Sequence, residues 1–147
     1  MYINRNLTLP EIFANVEKKQ TINEKVELLR LYDTKVIRWY VDNLYNRDLS
    51  SISIPDYTPS KSPAGIAFMN IGNAIPRLNS IFNHMDNKPM VERNLTLVLE
   101  NVTKEEAVLI VKLIKGERRI QGVSKTVFKK VYPEFFRTEE ETKTNKA

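Results

Sequence analysis

The sequence predicts an all-α fold: a single compact domain of about six to eight short helices over residues 1–136. Apolar residues recur at spacings of three and four along most of the chain, as in helices with one buried face. A threonine followed three residues later by a glutamate, the sequence signature of a helix start, occurs at Thr8, Thr21 and Thr103. Only 4 of the 147 residues are glycine, which disfavours a turn-rich β protein. A chain of this length suits one domain that buries roughly two thirds of its unfolded surface.

Three short helices are expected in the first third of the chain. The first begins at Thr8, the second runs from Thr21 to about Leu31, and the third follows Asp33, which we expect to be its N-cap. Tight connections between short helices are typical of all-α domains. The expected core residues of these helices are Ile12, Phe13, Val16, Ile22, Val26, Leu29, Val36, Ile37, Tyr40, Val41 and Leu44.

The helical pattern breaks at residues 47–63, where prolines stand at positions 55, 59 and 63. Rigid φ angles and apolar anchors such as Ile54 predict an ordered loop that lies against the helices. A short helix is expected near Pro63. Another is expected from about Ala74 to Met85, with Pro76 in its first turn. A further helix is expected to start at about Pro89, with Asn87 as its cap.

The last part of the chain is predicted to hold two helices joined by a basic turn. The helix that begins at Thr103 should end at Gly116, because glycine adopts a left-handed φ without a steric penalty. Ser124 is expected to cap the next helix by accepting a backbone N–H, and Pro133 should close that helix after Tyr132. Residues 137–147 contain no apolar side chain before the final alanine and are expected to form a disordered tail.

Positive charge is concentrated in this last part of the chain. From Lys112 to Lys130 there are seven Lys or Arg residues and one acid, a local net charge of +6 against +5 for the whole protein. Helical spacing puts Lys125, Lys129 and Lys130 opposite an apolar side. The helix start at residues 122–124 offers free N–H groups beside these cations, which is suited to a phosphate. An ordinary solvated face is the alternative interpretation.

Composition disfavours several other classes of function. The sequence has no cysteine, which excludes disulfides and thiolate metal sites, and its single histidine, His84, cannot form a multi-histidine metal site. No cofactor or metal is therefore expected. No apolar run approaches the about 18 residues of a membrane span, and the N-terminus lacks the apolar core of a signal peptide. A cytoplasmic protein without membrane contact is expected, in the host cell if the protein is phage-encoded.

The segment Gly122-Val-Ser-Lys-Thr-Val-Phe-Lys-Lys-Val-Tyr-Pro133 resembles the end of the N-terminal helical DNA-binding domain of phage-type ATP-dependent DNA ligases. The pattern of that family is Gly-x-Ser, a short helix, then Lys-Val-Trp-Pro; here Tyr132 replaces the tryptophan. The helices around residues 24–45 look like the opening helices of the same domain, and residues 54–59 are similar to its Pro-Glu-Tyr-Thr-Pro loop. Small proteins of tailed bacteriophages look similar as well.

The resemblance implies contact with duplex DNA through its backbone. Gly122 would let the chain approach a phosphate, Ser124 would cap the helix and donate to the phosphate, and Lys125 would supply charge. Three further DNA-binding candidates, Arg118, Arg119 and Lys129, come from the charge pattern and not from the family. No glycine follows an aspartate, so the Lys-x-Asp-Gly motif of ligase chemistry is missing. We therefore expect a stand-alone, non-catalytic DNA-binding accessory protein, gripping duplex DNA through phosphates in phage replication, repair or transcription.

Other functions remain alternatives at this point. A protein-interaction module that inhibits or bridges a phage or host enzyme could use the same helical scaffold. A helix-turn-helix regulator is disfavoured, because about eight residues separate the last two helices instead of the about three or four of that motif. A hydrolase or nuclease is disfavoured too. Its available acids, Asp86, Glu92, Glu105 and Glu106, lack the spacing of a metal site or an acid–base pair.

Overall fold

The computed structural model describes residues 7–61, 69–117, 120 and 123–136. Within these ranges the protein is all-α, as predicted, and its only extended pairing is an isolated antiparallel bridge from Ile120 to Val123. The helices are α1 (Leu9–Glu17), α2 (Ile22–Leu31), α3 (Lys35–Asn46), α4 (Ile71–Asn83), α5 (Lys88–Asn101), α6 (Lys104–Lys115) and α7 (Lys125–Val131), followed by a 3₁₀ helix at Pro133–Phe136.

The described residues group into two compact units. The first contains residues 7, 11–47, 120 and 123–136, and the second contains residues 8–10, 48–61 and 69–117. The extent of a single domain, residues 1–136, stays a prediction. The short helix near Pro63 and the tail at residues 137–147 lie outside the described residues.

Side-chain caps start most of the helices, as the sequence predicts. Thr21 accepts a hydrogen bond from the backbone N–H of Glu24, and Asn87 accepts one from Met90. Thr103 and Glu106 form a reciprocal capping box at the start of α6. Each bond satisfies a backbone N–H that has no partner within its helix, and so fixes where that helix begins.

The cap of α3 was predicted wrongly. The N-cap is Thr34, whose side chain accepts from the N–H of Ile37 at 3.4 Å, and α3 begins at Lys35. Asp33 instead accepts two hydrogen bonds from Arg38, at 3.0 Å from Nε and 2.7 Å from Nη2. A guanidinium fork matches both oxygens of a carboxylate, so the ion pair takes Asp33 away from the cap.

The start of α4 was also predicted wrongly. The helix begins at Ile71, three residues before Ala74, and Asn70 forms a capping box with Asn73. Pro76 consequently lies inside the helix and not in its first turn. The early start is stabilised by buried Glu106, which accepts the N–H of Ile71 at 2.9 Å. Pro76 is exposed, so water can reach the backbone near its missing hydrogen bond.

The second unit places α4 against α5 and α5 against α6. The long loop lies against these helices, as predicted: Leu49 and Ile52 are buried, and the N–H of Thr58 donates to Glu100 Oε2 of α5 at 2.8 Å. At the end of α6, Gly116 adopts a left-handed φ of 71°, which confirms the predicted stop. Among the described residues, none of the helices has both the length and the apolar character needed to cross a bilayer.

Candidate nucleic-acid interface

The candidate interface is built on α7, which lies in the first unit. The sequence predicted a helix to Tyr132; the helix ends one residue earlier, at Val131, and Pro133 opens the 3₁₀ turn that follows. A ring without an N–H is tolerated at the first position of a helical turn, so the proline both ends α7 and starts the next turn.

An aromatic core fixes the orientation of α7. Phe128 is fully buried, with its ring centroid 5.9 Å from that of Phe13 in α1 and 6.1 Å from that of Tyr45 in α3. Phe13 also meets Tyr40 edge to face, at 6.0 Å. Such ring pairs add about 0.5–1.5 kcal/mol each beyond the apolar area they bury. Helix α7 is therefore held with one defined side toward the core.

The side of α7 that is not packed by Val127 and Phe128 carries lysines, as the sequence predicted. Lys125 and Lys130 are exposed, and Lys129 is half-buried. Lys125 places its Nζ 5.9 Å from the ring centroid of Phe136, within the range of a cation–π contact. We call Lys125, Lys129 and Lys130 the basic face of α7.

Ser124 occupies the predicted N-cap position but does not make the predicted hydrogen bond. Its backbone is extended, with φ of −77° and ψ of 164°, and its carbonyl accepts the N–H of Phe128 at 3.2 Å. The side chain makes no capping hydrogen bond. Ser124 is exposed, so water can hydrate the first N–H groups of α7 in its place. The sequence thus predicted the N-cap position of Ser124 correctly, but the predicted hydrogen bond from a backbone N–H to its side chain is wrong.

Three of the predicted DNA-binding residues, Arg118, Arg119 and Gly122, lie outside the described residues. Two described neighbours in the same stretch of sequence are buried: Ile120 and Val123, whose backbones are joined by a hydrogen bond from Val123 N–H to Ile120 O at 2.9 Å. The contribution of Arg118, Arg119 and Gly122 to an interface stays a prediction.

Arg30 is a basic residue that the sequence analysis missed. Helix α2 packs against α7, and Arg30 Nη2 donates to the backbone carbonyl of Lys130 at 3.3 Å. That carbonyl belongs to the last turn of α7, where carbonyl groups have no partner within the helix. The two residues are 100 positions apart in the sequence, and no local pattern joins them.

Asp33, Arg38 and Tyr132 form a network beside the end of α7. Tyr132 donates its hydroxyl hydrogen to Asp33 Oδ1 at 2.9 Å, and Arg38 lies 5.8 Å from the centre of the Tyr132 ring. The hydrogen bonds from Arg38 lower the pKa of Asp33, partial burial opposes this, and the bond from Tyr132 adds to it. Burial, and then the adjacent carboxylate, raise the pKa of Tyr132. Arg38 is thus neutralised and does not extend the basic face.

Among the described residues, only the first unit has a net positive charge. That unit holds ten Lys or Arg and seven Asp or Glu residues among those described, a net charge of +3. The second holds seven Lys or Arg and eight Asp or Glu residues, a net charge of −1. A polyanion would therefore be attracted to the unit that carries α7.

Two residues considered for catalysis or metal binding, Glu106 and His84, make contacts of another kind. Glu106 is the buried acid of the α6 capping box, and His84 is exposed with Nδ1 3.0 Å from the carbonyl of Ser80. No group of three or more His, Cys, Asp or Glu residues within the described ranges is arranged to hold a metal ion.

No protein-family model matches the sequence, and neither a curated protein nor a solved structure gives a significant match. The class established is thus an all-α protein. The relation to the ligase DNA-binding domain stays a prediction that depends on the residues quoted above.

Proposed function

We propose that this protein is a non-catalytic accessory protein that grips duplex DNA through its phosphates, with the basic face of α7 as the centre of the contact. The observation that carries the proposal is the orientation of α7: Val127 and Phe128 are fixed in the core, and Lys125 and Lys130 remain exposed. The net charge of +3 on the described part of the same unit supports it.

The chemistry of this face suits phosphates better than base edges. Lysine ammonium groups on a solvent-exposed surface bind the DNA backbone as point charges and carry no sequence information. Planar side chains that read bases, such as Asn and Gln, are absent from α7, whose sequence is Lys-Thr-Val-Phe-Lys-Lys-Val. Binding would therefore depend on ionic strength and little on sequence.

Residues that precede α7 in the sequence would contribute to the same contact. Arg118 and Arg119 would add charge, Gly122 would allow close approach of the backbone, and Ser124, whose exposed hydroxyl is not engaged in a cap, would donate to a phosphate. The ligase-like pattern at residues 122–133 supports a role in phage replication, repair or transcription.

The test is a fluorescence-anisotropy titration against intact, nicked and single-stranded DNA over a series of salt concentrations. Wild-type protein should bind duplex, with an affinity that falls steeply as salt rises. The triple variant Lys125→Gln, Lys129→Gln, Lys130→Gln should reduce the salt slope by about 1 for each lost phosphate contact. A control with Arg77→Gln, Arg93→Gln and Lys104→Gln removes three exposed cations from the second unit and should keep the slope. Equal slopes for wild type and the α7 variant would contradict the proposal.

A second candidate is a protein-interaction module acting on a phage or host enzyme. Large apolar side chains exposed on α2 favour it: Leu31 is 49% exposed, and Ile22, which was wrongly expected in the core, is 47% exposed. Exposed apolar side chains are more costly to hydrate than to bury in an interface. This function predicts saturable binding to a purified enzyme, lost in Leu31→Ser, without salt-sensitive binding to DNA.

A further inference from the structure

Arg30 brings a second helix to the basic face of α7. One of the five N–H donors of its guanidinium, on Nη2, is bonded to the carbonyl of Lys130 at 3.3 Å. Arg30 and the Lys130 side chain are both exposed. The hydrogen bond therefore fixes an arginine of α2 beside a lysine of α7, on the surface of the first unit.

The charges around this pair favour an anion. Among the described residues, neither Arg30 nor Lys130 forms a salt bridge. Glu27 is one turn before Arg30 on α2 and is exposed, but it does not pair with Arg30 either. A phosphate that approaches the guanidinium of Arg30 would be attracted by the charges of both residues.

A structural role alone explains only part of this arrangement. Capping the last turn of α7 requires one hydrogen bond to Lys130 O, and arginine is a good residue for that position because of the helix dipole. The cap leaves the rest of the guanidinium fork for another acceptor. A fork of N–H groups matches the oxygens of a phosphate and binds it through two parallel bonds.

We propose that Arg30 and Lys130 together bind a DNA phosphate, so that the contact surface extends from α7 onto α2. This inference rests on the proposed function, because it names the phosphate-binding pair within the same interface. Arg30 supplies the directional hydrogen bonds, and Lys130 supplies charge.

The experiment compares Arg30→Gln with wild type in the same salt-dependent titration of duplex DNA. Glutamine removes the charge, and its shorter side chain no longer reaches the carbonyl of Lys130. The salt slope should fall by about 1 and the affinity at low salt should fall about three- to tenfold. Arg93→Gln is the matched control: it removes one exposed arginine from α5 in the second unit and should leave the slope unchanged.

A second variant separates phosphate binding from capping. Arg30→Lys keeps the charge and should keep the wild-type slope, even where its melting temperature falls. The same reduced slope in Arg30→Lys and Arg30→Gln would mean that only the cap matters, and it would overturn the proposal. If Arg30→Gln keeps the salt slope of the wild type, the inference about Arg30 is overturned, but the proposed function is not. If the wild-type protein shows no salt-sensitive binding to DNA, the proposed function is overturned as well.

Discussion

Tyr132 donates a hydrogen bond from its hydroxyl to Asp33 Oδ1 at 2.9 Å, which joins two residues 99 positions apart. Asp33 is held at the same time by Arg38, whose guanidinium lies 5.8 Å from the centre of the Tyr132 ring. The residue that follows α7 is thus bound to the residue that precedes the cap of α3. This network and Phe128 fix α7 in the first unit.

The contribution of this network to the free energy of unfolding can be measured by removing the hydroxyl of Tyr132. Tyr132→Phe keeps the buried ring and deletes the hydrogen bond to a carboxylate, so the free energy of unfolding should fall by about 1–3 kcal/mol. Urea denaturation provides the measurement. Tyr57→Phe is the control, since Tyr57 is half-buried with no hydrogen bond from its hydroxyl among the described residues, and its effect should stay within about 0.5 kcal/mol. Equal stability of the two variants would show that the bond contributes nothing.

Stability should depend on pH through the same residues. The pKa of Asp33 is lowered in the folded protein, so its contribution is present above its unfolded pKa of about 4 and is lost as the pH falls through the folded value. The pKa of Tyr132 is raised, so its contribution is present below about pH 10 and is lost as the pH rises further. Urea midpoints over pH should show a flatter acid limb in Asp33→Asn and a flatter alkaline limb in Tyr132→Phe. Unchanged limbs would contradict the linkage.

The buried carboxylate of Glu106 should be the most sensitive polar position of the second unit. It accepts hydrogen bonds from the N–H of Ile71 at 2.9 Å and from Thr103 through both its N–H and its hydroxyl. Glu106→Ala leaves these buried donors unsatisfied and should cost about 3 kcal/mol or more in the free energy of unfolding. Glu105→Ala, at the exposed neighbouring position, should cost less than about 1 kcal/mol. Thermal and urea denaturation of the pair test this; similar losses would argue against a special role for Glu106.

The end of α6 should depend on the backbone conformation of Gly116 and not on space around it. A Cβ at this position would meet no atom within 4 Å, yet φ is 71°. Gly116→Ala should therefore destabilise by about 1–2 kcal/mol, the cost of a left-handed conformation for an L-residue. Gly116→Asn should cost less, because asparagine tolerates this region better. The order Gly, Asn, Ala in urea midpoints is the expected result, and an alanine variant as stable as wild type would contradict it.

A gain of DNA affinity is expected from Glu27→Gln. Glu27 is exposed one turn before Arg30 on α2, so its charge opposes the approach of a phosphate to that arginine. Removing it should tighten duplex binding about two- to threefold at low salt, with less effect at high salt because of screening. Glu92→Gln, an exposed acid on α5 in the second unit, is the control and should have no effect. Weaker binding by Glu27→Gln would contradict the assignment of this surface.

Several local features were predictable because they depend on residues close in sequence. Thr103 and Glu106 are three residues apart, and their capping box forms as expected. Gly116 ends α6 for an equally local reason, the absence of a Cβ at a positive φ. The two faces of α7 follow from helical periodicity, which put Phe128 inside and Lys125 outside.

Two of the errors combine a local contact that was overlooked with a distant one. Asp33 was expected to cap α3, but Arg38 and Tyr132 bind its carboxylate, and Thr34 takes the cap. Helix α4 begins three residues early because Asn70 and Asn73 form a capping box and Glu106 of α6 accepts the N–H of Ile71. Short-range propensities contain no information on the two distant partners, Tyr132 and Glu106.

By itself, the sequence determined that this protein is helical, where α2, α6 and α7 begin, that α6 ends at Gly116, and that one short helix has an apolar and a basic side. These properties are set by periodicity, caps and backbone geometry, all of which act within about four residues. Only the tertiary structure decided which charges stay exposed together. It placed Arg30 beside the backbone of Lys130 and joined Tyr132 to Asp33, because contacts between residues 100 and 99 positions apart form only when helices pack.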